Sequence, residues 1–284
     1  MGDDLVPPRN INDRASSMSG TEETIMNRKY LQDLFDVTGK VALITGATGG
    51  FGRAASRALA AAGAKVMLTG RTAAKLEPVA KEIAAKGGQV AFLDGDPIVH
   101  SDVTRIVKGT VEVFGGIDIL ITAAGVNKPG LIHQQSDDEW QMIMDANVKG
   151  TYLFCKEVGK VMMEQGRGGK VILLGSVRGD LGLNRYTGYC PSKGAVHLLA
   201  KTLACEWGPH KINVNCIAPA VFRTELTQWI YDDPVVHKTF LSRIPIGRLG
   251  EPEDFIGSVI FLSSKASDWM TGSIVNVDGG YMAG

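Results

Sequence analysis

The amino-acid sequence predicts an α/β protein with a doubly wound parallel sheet of seven strands, covered by helices on both faces. From residue 40 onward, short apolar runs rich in β-branched residues alternate with longer helical stretches. Continuously apolar strands between amphipathic helices are typical of a parallel sheet that is buried on both faces. The 284 residues, of which 44% are hydrophobic, suffice for one large core, so we expect a single main domain.

Seven segments predict the strands, in chain order KVALIT, AKVMLTG, QVAFLD, IDILIT, KVILLG, INVNCIA and SIVNVDG. The segments between them predict helices, most of which end at a glycine suited to a helix C-terminus. The longest segment, residues 137–166, is predicted as one helical stretch. In such a sheet the ligand crevice lies beyond the carboxyl ends of the strands. The residues that directly follow the strands are therefore the candidates for a functional site.

Charge and cysteine content exclude several classes of function. The chain has 30 Lys plus Arg and 30 Asp plus Glu residues, without a block of like charges, which argues against nucleic acid or an anionic membrane as a partner. The four cysteines stand singly and lack the close C-x-x-C pairs of a zinc or redox site, so we predict no metal site. Cys190 adjoins Tyr189, but no feature of the sequence supplies it with a base.

Residues 1–35 are predicted to form an N-terminal extension, flexible or in contact with another subunit, ahead of a catalytic domain over residues 36–284. The extension is polar and contains no apolar stretch long enough for a signal peptide. Val6 occupies the position at which a myristoylation signal needs Ser or Thr. No run approaches the ~20 apolar residues of a membrane span. These features favour a cytoplasmic protein.

The segment TGATGGFG, residues 45–52, joins the first predicted strand to the first predicted helix. Glycine at positions 46, 50 and 52 permits a tight turn, close approach of backbone N–H groups to a pyrophosphate, and close packing of the helix on the strand. The sequence therefore predicts a dinucleotide-binding turn at Gly46, Gly50 and Gly52.

The segment YTGYCPSKG, residues 186–194, places Tyr189 four residues before Lys193. If a helix begins here, the two side chains are neighbours on one face, roughly 5–6 Å apart at their Cβ atoms. A nearby ammonium group favours the charged form of a phenol, so we expect Lys193 to lower the pKa of Tyr189. Ser176 ends the strand segment KVILLGS, thirteen residues before Tyr189.

With these motifs in this order, from about residue 36 to the C-terminus, the chain resembles the short-chain dehydrogenase/reductase family. Its glycine turn has that family's spacing T-G-x-x-x-G-x-G. The resemblance implies a Rossmann-type fold and an NAD(P)-dependent oxidoreductase acting on CH–OH/C=O groups. Overall the chain is similar to gluconate 5-dehydrogenase-like and 3-oxoacyl-reductase-like members.

The resemblance implies a catalytic group of Ser176, Tyr189, Lys193 and Asn147. In this scheme Tyr189 is the general acid/base, and Ser176 hydrogen-bonds the substrate oxygen. Lys193 binds the hydroxyls of the nicotinamide ribose. Asn147, from the segment DANVKGTYL, supports an ordered water beneath Lys193 and so helps to return the proton that Tyr189 gives up.

The same resemblance implies a set of cofactor-binding residues, namely Gly46, Thr48, Gly50, Phe51, Gly52, Arg71, Asp96, Ala124, Gly125, Tyr189, Lys193, Pro219, Val221 and Thr224. Arg71 follows Gly70 at the tip of the second strand, where an acid would bind a free ribose 2′-hydroxyl and an arginine accommodates a 2′-phosphate. We therefore favour NADP(H), with NAD(H) as the alternative. Two positions depart from the family pattern. Ala220 replaces a glycine, and Thr122 replaces an asparagine whose hydrogen bond fixes the strand.

Residues 222–250 correspond to the family's substrate lid, which closes over the nicotinamide. Two alternatives stay open for its Trp229, Tyr231 and Phe240: they line an apolar pocket, or they are helix faces that pack on the body. Four polar residues close to the catalytic group in the sequence are available to a polar or anionic substrate, namely Arg178, Arg185, Asn184 and His133.

We expect an oxidoreductase that transfers a hydride between NADP(H) and a secondary alcohol or ketone. The alternatives are an NAD(H)-dependent sugar or sugar-acid dehydrogenase of the same family, a sugar epimerase or dehydratase, and a dinucleotide-binding regulator without catalysis. The short C-terminal portion argues against an epimerase, and the complete Ser, Tyr and Lys set argues against a regulator. The resemblance also implies a homotetramer built through the two longest helices and the C-terminal strand.

Overall fold

The computed structural model describes residues 27–225 and 227–284. Residues 1–26, which make up most of the predicted N-terminal extension, lie outside these ranges, as does Leu226 of the predicted lid. Residues 28–34 of the extension form a helix whose first turn is capped by the side chain of Asn27.

The predicted seven-stranded parallel sheet is confirmed. Its strands run in the order β3-β2-β1-β4-β5-β6-β7, and every neighbouring pair is parallel. The strands are β1 (Val41–Thr45), β2 (Lys65–Gly70), β3 (Gln89–Asp94), β4 (Ile119–Thr122), β5 (Gly169–Leu174), β6 (Ile212–Pro219) and β7 (Ile274–Val277). The strand order reverses between β1 and β4, and this switch point opens the crevice in which doubly wound sheets bind their ligands.

The described residues form ten α-helices, most of them in the two layers that cover the sheet. They are α1 (Arg28–Leu34), α2 (Gly50–Ala61), α3 (Ala73–Ala85), α4 (His100–Phe114), α5 (Asp137–Met144), α6 (Gly150–Gln165), α7 (Tyr189–Trp207), α8 (Gln228–Asp232), α9 (Pro234–Leu241) and α10 (Ile256–Ser263). Within the described ranges, no helix combines the length and the apolar character that crossing a membrane requires.

Two apolar cores lie on opposite faces of the sheet. Because successive side chains of a strand point to opposite faces, Ala42 and Ile44 of β1 pack with α2, α3 and α10. Leu43, between them, packs with α4, α6 and α7. Burial on both faces explains why the strand segments read as continuous apolar runs instead of alternating ones.

The predicted helical stretch over residues 137–166 is confirmed for residues 137–165, but its winding changes in the centre. A π-helical turn, Asp145–Lys149, separates α5 from α6. A π turn accommodates one extra residue and locally rotates the side chains that follow, and such turns are frequent at functional sites. Here it carries Asn147, whose buried side chain bonds to another segment of the chain instead of pointing along the helix surface.

Candidate active site

The glycine turn, residues 45–52, lies at the switch point and has no space for side chains at two of its glycines. Gly46 has a φ of +60°, and a Cβ atom there would lie 2.7 Å from the backbone of Ala124. A Cβ at Gly52 would collide with the carbonyl oxygen of Gly46. Tight apposition of β1, β4 and the start of α2 therefore requires glycine at both positions.

A cavity of about 620 Å³ opens beside this turn and is called the main cavity below because of its place at the switch point; a cavity of about 770 Å³ lies elsewhere, lined by residues such as Lys170 and Trp269. Six of the predicted cofactor-binding residues line it, namely Gly46, Thr48, Arg71, Asp96, Ala124 and Gly125. Asp96 is oriented by its own loop, since its carboxylate accepts the N–H of Ile98 at 3.1 Å. The cavity has the size and position expected for part of a dinucleotide, and the glycines leave backbone groups free to approach it.

The other predicted cofactor residues lie around this cavity without lining it. The Phe51 ring packs against Phe222 and Phe255, with ring centroids 5.1 and 4.9 Å away, so its side chain belongs to the core. A Cβ at Gly50 would lie 2.6 Å from Thr224 Cγ2, which brings the start of the lid against the glycine turn. The Thr224 hydroxyl is 3.0 Å from that of Thr227, a lid residue that the sequence analysis did not single out.

Two further cations stand near Arg71. Lys75, four residues later at the start of α3, lines the main cavity and also an adjoining cavity of about 400 Å³. Arg53 lines the second cavity, donates to the Thr48 carbonyl at 3.1 Å, and has a buried Nε without a partner in the described part of the chain. The sequence indicated only Arg71 as a cation for a 2′-phosphate. The one sequence feature that could have indicated Lys75 is its position four residues after Arg71.

Helix α7 begins at Tyr189, which meets the condition for Tyr189 and Lys193 to be neighbours on one helix face. Pro191 lies in the first turn, where a missing N–H costs no helical hydrogen bond. The Lys193 Nζ lies 5.7 Å from the centroid of the Tyr189 ring and donates to the Leu174 carbonyl at 2.8 Å. Lys193 is 5% exposed, so its ammonium group is held at the end of β5.

The electrostatics of this pair differ from the expectation. Burial raises the pKa of Tyr189 to about 12, opposed in part by a hydrogen bond with Ser176 and by the charge of Arg178. Burial lowers the pKa of Lys193 to about 8. In the protein alone, desolvation outweighs the attraction that would favour tyrosinate. Tyr189 therefore carries its proton at neutral pH, as a proton donor requires.

Ser176 is brought to Tyr189 by the end of β5. Its hydroxyl accepts the N–H of Arg178 at 3.1 Å and lies 3.5 Å from the Pro219 carbonyl of β6. The side chain is buried and lies close enough to Tyr189 to lower the pKa of its phenol, against the larger effect of burial. The two hydroxyl groups that the sequence places thirteen residues apart thus meet at one point of the cleft.

Asn147 stands behind this group and is held by three hydrogen bonds. Its Oδ1 accepts the N–H of Val126 at 2.8 Å, and its Nδ2 donates to the Val126 carbonyl at 3.0 Å and to Ser192 Oγ at 2.9 Å. Ser192 Oγ in turn donates to the carbonyl of Tyr189 at 2.7 Å. This link through Ser192 was missed from the sequence, where nothing distinguishes that serine from a surface residue.

Gly125 lies between the predicted catalytic group and the main cavity. A Cβ atom at this position would lie 3.2 Å from Asn147 Oδ1 and 3.7 Å from Lys193 Nζ. Gly125 also lines the main cavity. The catalytic group and the cavity are therefore neighbours across this one residue.

The departure at Thr122 has a structural consequence. Its hydroxyl is buried and has no hydrogen-bond partner among the described residues. The end of β4 is held instead from β1, because the N–H of Ala124 donates to Thr45 Oγ1 at 3.2 Å. At the other departure, the Ala220 N–H donates to the Val277 carbonyl at 3.4 Å, which continues the pairing of β6 with β7. Pro219 ends β6, and Val221 follows as the first lid-side residue.

The predicted lid, residues 222–250, contains α8 and α9, and its two ends are joined by a parallel bridge between Phe222 and Gly250. Of the two alternatives for its aromatic residues, the structure supports packing. Tyr231 and Phe240 pack against a small buried cluster that includes Ile230. Trp229 remains half exposed and contacts Phe240 edge to face.

The four polar residues near the catalytic group separate into one buried and three exposed. Arg178 is 7% exposed, and donates to the Tyr281 hydroxyl at 2.6 Å and to the Gly182 carbonyl at 3.1 Å. No carboxylate of the described residues lies within ion-pair distance of its guanidinium group. The exposed residues are Asn184, Arg185 and His133.

Neither a metal nor a cysteine nucleophile is indicated. Burial raises the pKa of Cys190, which makes its thiol a poor nucleophile. Residues 27–225 and 227–284 contain no group of three or more His, Cys, Asp or Glu side chains arranged to hold a metal ion.

Comparison with known proteins identifies the family. A family model described as enoyl-(acyl carrier protein) reductase matches residues 46–282. The chain belongs to the short-chain dehydrogenase/reductase family. It is 43% identical over 254 residues to a Mycobacterium tuberculosis protein named only as an uncharacterised oxidoreductase, covering 88% of this chain and 93% of the relative. It is 34% identical to gluconate 5-dehydrogenase of Gluconobacter oxydans, with 87% and 96% covered.

Among solved structures, the chain is similar to a gluconate 5-dehydrogenase from Burkholderia cenocepacia in complex with NADP and tartrate. The TM-score is 0.87 at 31% identity, with 89% of this chain and 99% of the other covered. Family membership and these relatives make the chain an NAD(P)-dependent oxidoreductase that acts on CH–OH/C=O groups.

Proposed function

We propose that this short-chain dehydrogenase/reductase interconverts a secondary alcohol and a ketone with NADP(H), with Tyr189 as the general acid/base. The observation that carries the proposal is the meeting of Tyr189, Ser176 and Lys193 at the carboxyl edge of the sheet, next to the main cavity. When bound, NADP(H) supplies or accepts the hydride.

The residues around the main cavity fit such a cofactor. The glycine turn leaves no Cβ between its backbone N–H groups and a pyrophosphate. Lys193, through its Nζ, would bind the ribose hydroxyls near the nicotinamide. Thr224 and the backbone of Val221, a few residues beyond the end of β6, would hold the carboxamide.

The roles of the protein's own residues in the reaction follow from the hydroxyl groups of Tyr189 and Ser176. In the reductive direction Tyr189 donates its proton to the ketone oxygen, and Ser176 hydrogen-bonds the same oxygen and stabilises the charge that develops there. Lys193 and Asn147 lie behind Tyr189 and would return the proton through water. In the oxidative direction the proton moves from the alcohol to Tyr189.

A preference for NADP(H) over NAD(H) is supported by charge. Arg71, Lys75 and Arg53 border the two adjoining cavities at the tip of β2, where a 2′-phosphate would lie. A guanidinium group binds phosphate with two parallel hydrogen bonds, and a second cation strengthens the attraction. Acidic residues also line the two cavities, namely Asp96, Asp138, Asp145, Glu82 and Glu225, so the preference rests on the three cations near the tip of β2 and not on the net charge of the cavities.

A sugar-acid substrate is a more specific candidate, and it is favoured by Arg178. This guanidinium group is buried next to Ser176 and lacks a carboxylate partner among the described residues. A buried cation is costly unless a counter-charge reaches it, and the carboxylate of a substrate would supply one. Relatives named gluconate 5-dehydrogenase and 5-keto-D-gluconate 5-reductase match most of the chain.

The proposal is tested with a panel of ketones and secondary alcohols, including 5-keto-D-gluconate and neutral ketoses, followed at the nicotinamide absorbance with NADPH and NADH. We expect turnover with NADPH, and a higher kcat/KM for the anionic ketone than for its neutral counterpart. Turnover equal in the wild type and in Tyr189→Phe would contradict the mechanism. Equal kcat/KM values for anionic and neutral ketones would contradict the sugar-acid assignment only.

We propose that the protein assembles as a homotetramer, with one interface on its two longest helices, α6 and α7. A groove between them exposes Tyr152 and Leu198, which are 48% and 65% exposed. Such exposed apolar side chains on adjacent helices are typical of an interface. Light scattering tests this state, and Leu198→Glu is expected to reduce the mass of the particle.

A further inference from the structure

His197 is a buried histidine that the proposed mechanism does not use. It lies on the face of α7 that carries Tyr189 and Lys193, eight and four residues earlier, because positions four apart are neighbours on a helix. Its side chain is 4% exposed. His197 is therefore directed towards the same region of the fold as Tyr189 and Lys193.

The imidazole ring is enclosed by the loop that carries Ser176. A Cβ atom at Gly175 would lie 2.5 Å from Nε2, and one at Gly179 would collide with Cε1. Neither glycine has a φ in the left-handed region, so glycine is required there by space and not by backbone conformation. The segment on both sides of Ser176 is shaped around the ring.

Both ring nitrogens have a partner in this loop. The N–H of Ser176 donates to Nε2 at 3.5 Å, and Nδ1 lies 3.3 Å from Oδ1 of Asp180. These two contacts are compatible only with the neutral tautomer protonated on Nδ1. An imidazolium ion would place its Nε2–H against the N–H of Ser176, and that contact is repulsive.

The charges around the ring favour this neutral form at neutral pH. Burial lowers the pKa of His197, and the nearby charges of Lys193 and Lys201 lower it further, whereas Asp180 raises it. The Cys216 thiol faces the ring near Gly175, and burial raises its own pKa to about 12, so it carries no charge.

We propose that His197 is a positioning residue: its Nε2 holds the backbone N–H of Ser176, and Asp180 fixes the tautomer that makes this possible. The inference rests on the proposed function in one respect, that the Ser176 hydroxyl meets the substrate oxygen. Anchoring the backbone next to this hydroxyl fixes its direction relative to Tyr189. A displacement of about 1 Å in a reacting group costs up to about 100-fold in rate.

Variants at position 197 separate positioning from simple packing. His197→Leu removes the acceptor, and His197→Gln keeps an oxygen acceptor at a similar reach. We expect kcat to fall about 10- to 100-fold in the Leu variant and to stay within about 3-fold of wild type in the Gln variant, with the Kd for NADPH unchanged in both. His210→Leu, at an exposed position beyond the same helix, is the matched control and is expected to keep full activity. Equal losses in the Leu and Gln variants, or no loss in either, overturn the proposal.

A pH profile tests the role of Asp180. Protonation of His197 in acid breaks the bond to Ser176, so kcat of the wild type is expected to fall at low pH, and this limb is expected to be absent in His197→Gln. Asp180→Asn retains an acceptor for Nδ1–H and removes a charge that raises the pKa of His197. The acid limb should therefore move to lower pH. An acid limb that is unchanged in both variants overturns the proposal.

A third measurement needs neither substrate nor cofactor. NMR of ¹⁵N-labelled histidine in the full chain reports which ring nitrogen carries the proton. We expect Nδ1 of His197 to be protonated and Nε2 to be bare at neutral pH. A proton on Nε2 overturns the inference even if the enzyme is active, and the expected tautomer supports it even if every ketone in the panel fails.

Discussion

The glycine turn and the proposed catalytic group lie at the same edge of the sheet. The turn requires positions without a side chain, whereas the catalytic group consists of side chains that are buried and held by hydrogen bonds. At Gly46 and Gly52 the neighbouring backbone occupies the space that a Cβ would need. At Ser176, Lys193 and Asn147 the side chains are nine-tenths or more buried, and each bonds to the protein. We therefore expect a substitution in the turn to disturb nucleotide binding and packing, and a substitution of a catalytic side chain to lower turnover.

Tyr189→Phe is expected to give the largest effect on turnover. Loss of the proton donor should lower kcat by about 100- to 10,000-fold, while the Kd for NADPH stays within about 2-fold, because the phenyl ring still fills its place. The measurement is a titration of nucleotide fluorescence beside steady-state kinetics. Loss of nucleotide binding in this variant would show that the two regions are not separable.

Gly46→Ala is expected to abolish nucleotide binding, and with it activity, whereas Tyr189→Phe keeps nucleotide binding. The added Cβ meets the backbone of Ala124 at 2.7 Å and stands at a φ of +60°. Gly87→Ala is the matched control, because Gly87 has a φ of +83° and no atom within 4 Å of the added Cβ. The control should cost only the conformational strain, about 1–2 kcal/mol of unfolding free energy, and should bind NADPH normally. If both variants bind equally, the close approach at Gly46 has no function.

Arg71→Ala tests the charged rim of the cavity. Losing a hydrogen bond to a charged group costs about 1.5–3 kcal/mol, so we expect the Kd for NADPH to rise about 10- to 100-fold and the Kd for NADH to change little. Lys81→Ala, on the exposed side of α3 and paired with Glu77, is the control and should change neither Kd. A preserved NADPH preference in Arg71→Ala would assign the selectivity to Lys75 and Arg53 instead.

The smallest effect concerns stability. Burial lowers the pKa of Lys193 from 10.5 to about 8, so between these pH values the unfolded chain binds more protons than the folded one. The folded state therefore gains stability as pH rises through this window. We expect Lys193→Met to be more stable than wild type at pH 7, with an advantage on the order of 1–3 kcal/mol that shrinks towards pH 10. Urea unfolding of the cofactor-free proteins measures it, and an advantage independent of pH would mean that Lys193 is not desolvated.

Much of the fold was predictable because local patterns agree with one another. Each strand segment is continuously apolar and each intervening segment has a helical pattern, so the sheet and its layers follow from periodicity alone. The start of α7 at Tyr189 was only a condition at the level of the sequence, although the spacing to Lys193 and Pro191 in the first turn both suit a helix N-terminus. The catalytic roles of Ser176, Tyr189 and Lys193 remain a proposal, although the structure places these side chains close together.

Other features had no local signal. The π turn carries Asn147, whose hydrogen-bond partner Val126 is 21 residues away in the chain. The raised pKa of Tyr189 follows from burial, and sequence spacing informs only about its neighbour. Lys75 and Arg53 read as ordinary helix-surface cations until the folded chain places them on the same cavity wall as Thr48.

The sequence by itself determined the layered sheet, the glycine turn and the pairing of a phenol with an ammonium group, because these depend on residues a few positions apart. Only the tertiary structure decided what surrounds them: the desolvation that raises the pKa of Tyr189, the histidine behind Ser176, and the second and third cations near Arg71. Those properties arise where β5, α7 and the loops after β1 and β2 meet. The residue pattern within one segment does not indicate which other segments will pack against it.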